Sequence, residues 1–80
     1  MVKLRNIRKD SEYISADYAP EGEDRELGYV KLRISDREIV EKRVTKEDGR
    51  LGFYYKHVVS GLCDILDEGE VPEERTVMWY

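Results

Sequence analysis

Between Phe53 and Asp67 the side chains sort onto two faces of a helix, more cleanly than anywhere else in the chain. At 100° per residue, Tyr54, Tyr55, Val58, Val59, Leu62, Ile65 and Leu66 fall within one arc of about 140°. Lys56, His57, Ser60, Asp64 and Asp67 occupy the opposite side. A helix with one apolar stripe must lay it on one apolar surface, and the rest of the chain has to supply that surface. The helix is predicted to start between Arg50 and Phe53 and to end at Gly69, a residue suited to the position just past a helix C-terminus. Thr45-Lys46-Glu47-Asp48 has the spacing of a capping box, but Gly49 and Gly52 oppose an immediate helix. Asp64, Asp67 and Glu68 sit where the helix dipole disfavours acids, at a cost of roughly a few tenths of a kcal/mol each.

The surface is supplied by strands. Ile14, Ala16 and Tyr18 alternate with Tyr13, Ser15 and Asp17 between Glu12 and Tyr18. Val30, Leu32 and Ile34 alternate with Tyr29, Lys31 and Arg33 between Gly28 and Ile34. Ser35 to Glu38 reads as a turn, after which Ile39 to Thr45 returns as a β-branched strand. So short a connection implies an antiparallel hairpin, since a parallel crossover needs a dozen residues or more. A short segment, Val2 to Ile7, precedes these strands, and Pro20 to Asp24 reads as an exposed loop. Thr76 to Tyr80 is too apolar to hang free and is expected to join the sheet as a final strand.

The expected architecture is one small α+β domain, residues 1–80, with a single helix on one face of a four- or five-stranded, mainly antiparallel sheet. The element order is four strands, the helix, then a last strand. The opposite face would carry Tyr13, Tyr29, Lys31, Arg33 and Arg43, with Glu41 beside Arg43.

Charge is acidic overall, 18 Asp and Glu against 14 Lys and Arg, and unevenly placed. Lys3, Arg5, Arg8 and Lys9 precede the first acid, whereas six acids fall between Asp64 and Glu74 with no base among them. Such asymmetry orients a partner or pairs two copies head to tail. Cys63 is the sole cysteine, so no disulfide forms within the chain, in keeping with a reducing compartment. No stretch has the length and apolarity of a signal peptide core or a membrane span. The expectation is a soluble cytoplasmic protein starting at its native Met1.

Chemistry-bearing residues are few. Cys63 lies in the second half of the helix beside Asp64, without the cation or helix N-terminus that makes a thiol reactive, and reads as a semi-buried core residue. His57 and Cys63 are about 120° apart around the helix. His57 and Asp64 share a face but stand two turns apart, roughly 10 Å, beyond hydrogen-bond reach. One His and one Cys cannot build a zinc site, and the acids from Asp64 to Glu70 lack the pattern of a calcium loop. Gly49, Gly52 and Gly61 do not have phosphate-loop spacing. The expectation is therefore a non-enzymatic protein with no cofactor and no metal.

What is left over is aromatic and basic. Six Tyr, one Trp and one Phe exceed what so small a core takes up. Tyr13, Tyr29 and Tyr80, with Lys31, Arg33 and Arg43, are the candidate interaction surface, presented to a protein partner or to a second copy of the chain. A nucleic-acid-binding domain using the same face is the first alternative, opposed by the net charge of −4. A ligand-binding or enzymatic site near His57 is the second.

Tyr13-Ile14-Ser15-Ala16-Asp17-Tyr18-Ala19-Pro20-Glu21-Gly22, followed by Gly28-Tyr29-Val30-Lys31-Leu32, resembles short uncharacterised proteins of Gram-positive bacteria. The resemblance covers the middle of the chain. It implies a bacterial origin and carries no activity or functional residue with it.

Overall fold

Alternation at period 2 builds the sheet and period 3.6 builds the helix that covers it. A computed structural model describes residues 1–21, 26–46 and 53–78. Strand β1 spans Val2–Lys9, β2 Tyr13–Pro20, β3 Gly28–Arg33 and β4 Ile39–Arg43; helix α1 spans Phe53–Glu68, and β5 spans Arg75–Val77. The strands form one five-stranded sheet in the order β4-β3-β2-β1-β5, every neighbouring pair antiparallel. The expected α+β fold is the one adopted, with the last strand inserted beside the first.

Apolar residues of β1, β2 and β3 share one face because their registers align. Leu4 stands opposite Tyr18, Ile14 opposite Leu32, and Ala16 opposite Val30. These residues, with Val2 and Ile7, meet Val58, Leu62 and Ile65 of α1 in the core. Tyr54, Tyr55, Val59, Cys63 and Leu66 pack around its margin, half-buried. Gly61 lets the helix approach β5, since a Cβ there would lie 2.7 Å from Val77 Cγ2.

The C-terminal end of the helix combines a local stop signal with contacts from distant residues. Gly69 takes φ +86° and its N–H donates to Ile65 O at 3.1 Å, ending the helix where predicted. Two of the three acids at this end, Asp67 and Glu68, gain a cation from elsewhere in the chain. Arg37 pairs with Asp67 at 2.7 Å, and Arg75 grips both oxygens of Glu68 at 2.6 Å. Long-range ion pairs thus offset the unfavourable dipole contact that the local sequence implies.

Several boundaries shift. β1 continues past Ile7 to Lys9, and β2 runs through Pro20, which sits opposite Val2 at the strand's end, where a missing N–H is tolerated. The β3–β4 turn begins at Ile34, one residue early, closed by Arg37 N–H to Arg33 O at 2.7 Å with Arg37 at φ 59°. All five residues of β4 are exposed, the β-branched Ile39 and Val40 included, because α1 packs mainly on β1, β2, β3 and β5. Lys42 ties this strand to the helix by placing its ammonium 4.2 Å from the centre of the Tyr55 ring. Thr45 is buried, its N–H 3.4 Å from the Tyr18 hydroxyl. Val77 is half-buried, but Met78 is 59% exposed, so the tail is held by less than its full apolar run. The loop residues Gly22 to Asp24, the capping-box residues Glu47 and Asp48, the helix start at Arg50, and Trp79 and Tyr80 lie outside the described residues.

Candidate interaction surface

The helix-free face is ordered by cross-strand rows. One row runs Arg5, Asp17, Tyr29, Arg43 across β1, β2, β3 and β4. The next runs Arg8, Ser15, Lys31, Glu41, and Tyr13 pairs with Arg33 beyond it. The structure therefore brings Tyr13, Tyr29, Lys31, Arg33 and Arg43 onto one surface, as predicted. Tyr80, the sixth residue of the predicted set, lies outside the described residues.

The presence of Arg8 on this face depends on a bulge. Strict alternation from Val2 and Leu4 would send Arg8 toward the core and Ile7 toward solvent. Instead the register slips between Arg5 and Arg8, with Asn6 at φ 51°. An asparagine tolerates this left-handed backbone better than most residues, and its Nδ2 donates to Asp17 Oδ2 at 2.8 Å. Ile7 then turns inward, 8% exposed, and Arg8 comes to stand opposite Ser15. A polar residue interrupting the apolar positions of β1 is the signal in the sequence that marks this switch.

Ser15 is the smallest member of its row, and the larger side chains around it leave a depression. One hollow of about 200 Å³ is lined by Arg8, Lys9, Asp10, Tyr13, Ser15, Tyr29 and Lys31. Another, of about 320 Å³, lies between Asn6, Arg8, Ser15, Asp17 and Tyr29. A third is bounded by Arg5, Arg8, Leu27 and Glu74 among others, so Arg8 borders all three. The walls are charged and tyrosyl rather than apolar, unlike the enclosing pocket of a small-molecule site. His57 lines none of these hollows, being carried by the helix on the other side of the sheet.

Electrostatics within the face are partly closed and partly open. The acidic segment folds back on the basic N-terminal strand: Glu74 lies 3.7 Å from both Lys3 and Arg5. Arg33 pairs with Asp36 at 2.9 Å, which holds the Asp36 carboxyl below its usual range together with the N–H of Glu38, the stronger cause. Asp10 accepts the N–H groups of Glu12 and Tyr13 at 2.8 and 2.7 Å, and these lower its pKa. Lys31 sits 4.4 Å from the centre of the Tyr13 ring. Arg8 and Lys9 have no ion-pair partner among the described residues.

Cys63 is a half-buried free thiol, as expected, but Arg37 of the β3–β4 turn stands close enough to interact with it, a neighbouring cation that the helix sequence does not show. Among the described residues no group of three or more His, Cys, Asp or Glu is placed to hold a metal ion. Among them, too, no helix is long and apolar enough to cross a membrane. Sequence reasoning did not single out Arg5, Asn6, Arg8, Ser15 or Asp17 as parts of the site. In comparisons with known proteins, no family model, no curated protein and no solved structure matches this chain.

Proposed function

We propose that this chain is a non-enzymatic interaction module of the bacterial cytoplasm, binding a protein partner through the helix-free face of its sheet. The observation that carries this reading is the concentration of Tyr13, Tyr29, Lys31, Arg33 and Arg43, with the hollows between them, on the face the helix leaves uncovered. Tyrosine and arginine give large contact area with polar tips, the composition that protein interfaces favour. A second copy of the chain is the simplest partner to test, and light scattering across concentration and salt reads it directly.

The decisive variant is Tyr29→Ala with Arg33→Ala. Both side chains belong to the face and neither to the core, so the fold should persist by circular dichroism. Capture of cytosolic proteins, or self-association, should fall sharply relative to the wild type. Unchanged association by a folded double variant would remove this face from consideration.

A further inference from the structure

We infer that the partner engages this face with a short, extended acidic peptide segment, seated over Ser15 between Arg8 and Lys31. This rests on the reading of the face as an interaction surface and names the chemistry it recognises. Three observations converge on the same row. Arg8 and Lys9 reach the hollow without any ion-pair partner among the described residues, whereas Glu74 already serves Lys3 and Arg5. Lys31 is held over the Tyr13 ring, which fixes its ammonium at the hollow while leaving its hydrogen-bond donors available. The one acid that borders this hollow, Asp10, is held mainly by backbone N–H groups, with Lys31 and Lys9 as lesser partners, and Asp17 of the adjoining hollow is engaged by Asn6.

Geometry sets the ligand's spacing. Arg8 on β1 and Lys31 on β3 flank Ser15 on β2, so they lie two interstrand steps apart, roughly 10 Å between backbones, and both line the same hollow. Acids at alternate positions of an extended peptide project to one side about 7 Å apart and reach both cations. The Ser15 hydroxyl lies between them as a further donor. A polyanion fits less well. Asp17 and Glu41 interrupt the basic rows, and a net charge of −4 repels a uniformly charged backbone at long range.

The test titrates the ¹⁵N-labelled full chain with a capped peptide alternating Glu and Ser, at low salt, following amide resonances. A peptide with Gln for Glu and a single-stranded oligothymidine are the comparisons. Saturable shifts centred on Arg8, Ser15 and Lys31 are expected with the Glu peptide alone, weakened by salt. Arg8→Glu with Lys31→Glu should weaken binding at least about tenfold. Arg8→Gln with Lys31→Gln is a milder pair that keeps the test valid if charge reversal unfolds the chain. No saturable shift at millimolar peptide overturns the inference, as does binding indifferent to either pair of variants. Tighter binding of the oligothymidine replaces it with a nucleic-acid site. If the peptide fails while the Tyr29 and Arg33 double variant still loses its partner, the interaction surface stands and only the acidic ligand falls.

Discussion

The ring of Tyr18 lies against the backbone of Gly28, its cross-strand partner, so closely that a Cβ at Gly28 would sit 2.2 Å from Tyr18 Cε1. Tyr18 is fully buried, so its ring has no free space into which to retreat. Gly28→Ala must therefore displace a core aromatic. The expected loss is about 1–3 kcal/mol, the usual range for overpacking. A lower denaturation midpoint with an unchanged slope is the signature to look for. Wild-type stability in this variant would mean that the ring and strand are not packed as described.

Asn6 carries the bulge that brings Arg8 to the open face, and its backbone conformation is what a β-branched residue resists. Asn6→Val should cost about 1–2 kcal/mol, while Asn6→Gly should keep the strand's register despite losing the bond to Asp17. Amide exchange at Ile7 and Arg8 checks this. Equal stability of the valine variant would argue against a left-handed residue at this position.

Acid should loosen the fold through groups at its periphery. Asp10, Asp36, Asp67 and Glu68 are held below their ordinary values, 3.8 for Asp and 4.5 for Glu. Backbone N–H groups do this first for Asp10 and, with Arg33 as a second cause, for Asp36; Arg37 does it for Asp67 and Arg75 for Glu68. For a lowered native pKa the unfolded chain takes up protons first as pH falls. Their stabilisation is thus complete above the ordinary carboxylate values and is lost as pH drops through the lowered ones. Thermal unfolding followed against pH should show a plateau near neutrality and a decline beginning near those ordinary values. High salt should reduce the contribution of the arginine pairs, which are exposed. A melting temperature that holds steady through strong acid would contradict this account.

The amphipathic stripe from Tyr54 to Leu66 and the alternation around Ile14, Ala16, Tyr18, Val30 and Leu32 were sufficient to assign the helix, the central strands and their buried faces. Such periodicities are local, repeated over several residues, and set by backbone geometry that every chain shares. For the same reason the alternation alone places Tyr13, Tyr29, Lys31, Arg33 and Arg43 on one face.

Other features come from contacts between distant residues. The slip at Asn6 reverses the faces of Ile7 and Arg8 because the paired strand and the core above it reward an inward isoleucine. Glu74 finds Lys3 and Arg5 because β5 pairs with β1, a long-range choice no spacing reveals. Arg37 and Arg75 reach the acids at the helix end only once the β3–β4 turn and the C-terminal strand are in place. The sequence by itself determined which residues are buried along α1, β2 and β3, since burial there follows a fixed period. Only the tertiary structure decided which charges meet and which, like those of Arg8 and Lys9, are left facing outward, because that depends on strand order and on a single break in the alternation.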